Sequence, residues 1–142
     1  MNMKTVGGES SGQSGMDEFN RLTVNILNDL YETFPHYALV KTDAYYENVD
    51  DEAASCMEGT MAFLQKENFI SIDGEGADGR LYLAVQLTSK GLAVLDKPLD
   101  SLENSPTLVD KFKSAIKAGS KLAFKEAAKS LVSEATKIYL QG

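Results

Sequence analysis

Apolar side chains recur every three to four residues from Met16 to Glu32, which predicts an amphipathic helix. Phe19, Leu22, Ile26 and Leu30 share one face, and Leu27, Tyr31 and Phe34 widen it. Asp17 and Glu18 suit the positive first turn. Pro35 ends the helix, because proline pushes the preceding residue out of helical geometry. Tyr37-Ala-Leu-Val-Lys41 then reads as a short strand, and residues 42–48 as a turn or short helix. Asp50-Asp51-Glu52 offers acceptors to the free N–H groups of a second long helix, running to about Glu67. Its stripe is Ala53, Met57, Met61 and Leu64, with Phe63 beside them.

Two strands follow, Phe69–Asp73 and Leu81–Leu87, around a glycine-rich hairpin connection over 74–79. Thr88 caps a short helix carrying Leu92, Val94 and Leu95, which ends across Asp96–Asp100. Ser105-Pro106 is a helix-start signal, since serine caps and proline at the first helical position gives up no needed donor. Helical periodicity then continues to Tyr139. A single helix of roughly 34 residues would be a rod of roughly 50 Å, so it is expected to protrude, pair or break, with Gly119-Ser120 the point of kinking or breakage.

The elements predict an α+β fold, mainly helical, with a small antiparallel sheet and a long or kinked C-terminal helix. The expected division is a flexible Gly/Ser-rich terminus (1–15), a domain (16–96), a linker (97–105) and an amphipathic assembly segment (106–142). A protruding helix would expose its stripe, so the pattern predicts a homodimer through Leu108, Phe112, Ile116, Ala123, Ala127, Leu131 and Ile138.

The order helix, strand, short helix, long helix, hairpin resembles the winged-helix form of the helix-turn-helix domain. Residues 52–95 carry the resemblance, above all Phe69-Ile and the run from Leu81 to Leu95, with its Leu-Thr-Ser-Lys-Gly helix start at Leu87–Gly91. The resemblance implies a recognition helix at about 51–67 and a wing at 74–80. It implies two roles, duplex DNA binding or protein interaction.

Composition bears on that choice. The 142 residues are 43% apolar and 25% charged, enough for one core. The formal charge of −7 is unevenly distributed: residues 1–105 sum to −11 and residues 106–142 to +4. On the candidate recognition helix Ser55, Gln65 and Lys66 would face DNA, with Arg80 in the wing and Lys113, Lys117 and Lys121 near phosphates. Asp50, Asp51, Glu52 and Glu58 would repel phosphate. A sequence-specific DNA-binding transcription regulator is therefore the alternative. The leading expectation is a non-enzymatic interaction or regulatory module with a protein partner. On this view the C-terminal lysines solvate a polar face or lie against acidic groups of the body.

No catalytic, cofactor-binding or metal-ligating residue is assigned. Cys56 is the one cysteine and His36 the one histidine, and neither has a helper nearby in sequence. Asp73, Glu75 and Asp78 begin like an acidic ion loop, but Ala77 and Ala84 stand where ligands are required. Of Tyr45 and Tyr46, one is expected to pack between helices and the other to lie at the surface, the alternative being an exposed tyrosine that stacks on a partner or small aromatic ligand. A secretory signal and a membrane span are absent from the pattern, so a cytoplasmic protein is expected, with membrane-surface binding by the basic amphipathic helix a minor alternative.

Overall fold

A computed structural model describes residues 14–76 and 79–141, the last four by backbone alone. Of the terminus expected to be flexible, residues 1–13 lie outside the described residues, as do the loop positions Ala77 and Asp78 and the side chain of Ile138, whereas Ser14 and Gly15 cap and begin the first helix. The fold is α+β and mainly helical.

Helix α1 (Gly15–Thr33) starts where Ser14 Oγ accepts the Asp17 amide at 3.1 Å. Its buried face includes Leu22, Ile26, Leu27 and Leu30, and also Asn20, Thr23 and Val24. That arc is wider than the apolar stripe because α1 meets α2, β4, α4 and α5 together. After β1 (Ala38–Lys41) comes a single 3-10 turn, Thr42–Ala44. Asp50 caps α2 (Asp51–Lys66), its carboxylate accepting the Ala53 amide at 2.8 Å.

The strand expected over 69–73 shortens to β2 (Ile70–Ser71), and the first two residues of the expected connection form a second short piece, β3 (Gly74–Glu75). Both pair antiparallel with β4 (Leu81–Leu87), whose other edge pairs with β1. Strand β4 carries a bulge: Val85 faces Ala38 and Tyr82 faces Val40, so three steps on β4 match two on β1. Ala84 sits at φ 51° within it. The bulge shifts the alternation by one residue, so that Tyr82, Val85 and Leu87 all point into the core. Helix α3 (Ser89–Leu95) follows, with Thr88 Oγ1 accepting the Gly91 amide at 3.0 Å.

Beyond residue 96 three expectations are corrected. Residues 97–105 do not separate two bodies, because Leu108, Phe112, Ala127 and Leu131 join Leu22, Met57, Tyr82 and Leu95 in one core. The helix does not start at Ser105-Pro106. The Pro106 carbonyl instead accepts the Leu99 amide, and Thr107 bridges to Pro98. Thr107 then caps α4 (Leu108–Ala118) in a reciprocal pair with Asp110, whose carboxylate accepts the Thr107 amide at 2.9 Å. Finally, the expected interface is core. Leu108, Phe112, Ala127 and Leu131 are at most 1% exposed, and half-buried Ile116 and Ala123 pack against the same core.

The choice left open at Gly119-Ser120 is a break. Gly119 adopts φ 68°, and Ser120 Oγ accepts the Ala123 amide to begin α5 (Lys121–Gln141). Helices α4 and α5 fold back on one another and on α1, so the stripe read as a partner surface closes this chain's own core.

Candidate functional site

The surface around α2 is built by the segment that leads into β4. Gly79, at φ 68°, lies so close to α2 that a β-carbon would stand 2.7 Å from the Ala54 carbonyl oxygen. Thr42 fixes this approach, its Oγ1 donating to the Gly79 carbonyl at 2.6 Å and its amide to that of Arg80 at 3.1 Å. Arg80 is thereby turned toward the start of α2. Its Nη1 donates to the Val49 carbonyl at 2.9 Å, and its Nη2 lies 3.7 Å from Asp51. Arg80 thus ties down residues 49–51.

The other DNA-contact candidates on α2 are spread along it. Ser55 is half-buried, whereas Gln65 and Lys66 are exposed in the last turn. Asp43, Glu47, Asp50, Asp51, Glu52 and Glu58 are all exposed in this part of the chain. Carboxylates therefore outnumber the exposed cations Lys41 and Arg80 around the first half of α2.

The C-terminal lysines do not form one strip. Lys113 Nζ lies over the Tyr31 ring, 6.0 Å from its centroid, donates to Asn28 Oδ1 at 3.1 Å, and pairs with Glu32. Lys121 pairs with Asp17 at 3.8 Å. Glu32 and Asp17 stand about four turns apart on α1, which separates these two lysines along its length. Lys117 is exposed between them in sequence. Two of the three phosphate candidates thus lie against carboxylates of the body.

Tyr45 and Tyr46 staple residues 42–50 to α1. The Tyr45 hydroxyl donates to Asp29 at 2.7 Å and the Tyr46 hydroxyl to Glu18 at 2.7 Å. Arg21 lies 4.8 Å from the Tyr46 ring centroid and donates to the Tyr45 carbonyl at 2.8 Å. Burial first, then the carboxylate hydrogen bonds, push both phenols well above the ordinary tyrosine range. The Cys56 thiol lies 3.5 Å from Glu18 Oε2, a neighbour brought from 38 positions away that local sequence cannot reveal.

A second surface was missed by the periodicity. Along α5, Met16, Phe19, Ala128 and Val132 line a groove of about 540 Å³, with Lys125 and Lys129 at its side. Val132 also borders a cavity of about 280 Å³ lined by Phe63, Phe69 and Ala135. The Phe19 and Phe63 rings meet edge to face at 5.2 Å and Val132 borders both hollows, whose linings also include Asp17 and Asn20 on one side and Glu67, Lys90 and Thr136 on the other. Met16 is 64% and Val132 49% exposed there. Among the described residues no helix is long and apolar enough to cross a membrane. Comparison with known proteins finds no family model that matches this chain, and no curated protein or solved structure similar to it.

Proposed function

We propose that this chain is a non-enzymatic interaction or regulatory module, winged-helix-like in plan, which offers the acidic side of α2 to a cationic surface on a protein partner. The order α1, β1, 3-10 turn, α2, β2–β3, β4, with β4 central in the sheet, supports the winged-helix-like part of this reading. The observation that carries the interaction part is the fate of Arg80. Its guanidinium is held at the Val49 carbonyl and beside Asp51, on a surface where Asp43, Glu47 and Glu58 are exposed. A phosphate backbone would meet repulsion at that face, whereas lysines and arginines of a protein would be attracted to it.

The test uses two probes on the full chain. A lysine-rich peptide added during NMR titration is expected to shift the amides of residues 43–58, and the Glu58→Lys variant to weaken that response. Duplex DNA at about 50 mM salt is expected not to be retained. Retention of duplex, reduced by Lys66→Glu, would establish the DNA-binding alternative instead. Peptide shifts confined to other residues would remove α2 as the docking face.

A further inference from the structure

The loop between α3 and α4 is ordered and carries an apolar tip. Its base is clipped by the Pro98–Thr107 bridge and by the Leu99 amide donating to the Pro106 carbonyl at 2.9 Å. Asp100 Oδ1 accepts the Leu102 amide at 2.8 Å, and Ser105 Oγ donates to the Asp100 carbonyl at 3.1 Å. These bonds hold up Leu102, which is 73% exposed, between the acidic side chains of Asp100 and Glu103. The groove along α5 has the opposite character. Its apolar floor is flanked by the exposed lysines Lys125 and Lys129, and the one carboxylate in its lining, Asp17, is paired with Lys121 at 3.8 Å; Asn20 completes the lining.

We infer that the α5 groove receives the 98–107 loop of a second copy of this chain. The two halves match in hydrophobicity and in charge: an apolar side chain between carboxylates meets an apolar channel beside ammonium groups. Both halves belong to the same chain, and the exposure of Leu102 means that its own groove does not hold it. The loop is already hydrogen-bonded in its projecting form, so docking orders little additional chain. Where the two loop–groove contacts reciprocate, the assembly closes as a twofold dimer; where they do not, copies add head to tail. This contact uses neither α2 nor its carboxylates, and it stands apart from the function proposed above. It also differs from the pairing expected through Phe112 and Leu131, which are buried.

Sedimentation velocity of the full chain, from about 10 μM to about 500 μM, reads the association. The wild type is expected to show a concentration-dependent increase in mass. Leu102→Asp is expected to weaken association at least tenfold, as is Lys125→Glu with Lys129→Glu. Adding Glu103→Lys to the double lysine variant is expected to recover part of the loss, a rescue that a merely destabilised fold would not show. All four positions are exposed, and circular dichroism checks that each variant remains folded. A wild type that stays monomeric across the range overturns the inference. So does association indifferent to Leu102→Asp, or a groove that takes an acidic amphipathic peptide while the chain itself does not associate.

Discussion

Gly91 lies so close beneath the Phe69 carbonyl that a β-carbon on it would stand 2.2 Å from the oxygen. The same oxygen accepts the Thr88 amide at 3.0 Å, so the first turn of α3 is held against the entry to β2. Backbone cannot swing aside as a long side chain can. Gly91→Ala is expected to cost about 2–3 kcal/mol, read as a lowered urea midpoint. Gly59→Ala is the control, since it lies within α2 with nothing inside 4 Å, and it should stabilise by up to about 1 kcal/mol. Equal effects at the two sites would show that the close approach is not limiting.

Phe112→Asp and Leu131→Asp each place a carboxylate in the core. Both variants are expected to lose about 4 kcal/mol or more and to abolish the cooperative thermal transition. Leu122→Asp, at a position 65% exposed on the same hairpin, should change stability by no more than about 0.5 kcal/mol. A folded monomer from Phe112→Asp would instead restore the original assignment of this stripe to a partner.

The helix start at α4 separates two capping signals two residues apart, Ser105 and Thr107. Thr107→Ala is expected to cost about 1 kcal/mol, because it removes the hydroxyl that accepts the Asp110 amide. Ser105→Ala removes only a bond to the Asp100 carbonyl in the loop and should cost less. The ranking of their denaturation midpoints checks which residue caps the helix.

Tyr82 is 2% exposed, and its hydroxyl has no hydrogen-bond partner among the described residues. Burial, then the charges of Glu75 and Glu58, push its phenol up to about 12. The unfolded phenol ionises near 10, so between these values the unfolded chain binds fewer protons and stability falls as pH rises. Below pH 10 this contribution is fully present. Tyr82→Phe is expected to keep or raise the urea midpoint at pH 7 and to flatten its decline between pH 10 and 12. An unchanged alkaline slope would assign the decline to other groups, Tyr45 and Tyr46 foremost.

Local chemistry made much of this fold legible. The 16–32 stripe and the capped Asp50–Lys66 stripe were legible, and Thr88 with Gly91 pointed to α3, whereas the Ser14 cap was hidden in a Gly/Ser-rich stretch that reads as flexible. The C-terminal stripe was equally clear as a pattern, yet periodicity states only that a face is buried. Whether Phe112 and Leu131 meet α1 or another chain depends on where the chain reverses, and Gly119 decides that. Ser105-Pro106 and Thr107 are both sound helix starts in isolation; pairing of 98–99 with 106–107 selects the second. The bulge at Ala84 has no local mark, since alanine is an unusual occupant of left-handed backbone. The α5 groove arises where α1, α2, α3 and α5 converge, and Val132 acquires its role only from that convergence.

The packing of α4 and α5 on α1 also sets an order of events during synthesis. Helix α1 is made before the sheet and before α4 and α5, yet part of its broad apolar arc packs against those two later helices. Until the chain has passed Gly119 and returned, that part has no cover. A nascent chain halted near residue 105 would carry a made helix and a made sheet with an unfinished core between them, and would be a natural client for a chaperone.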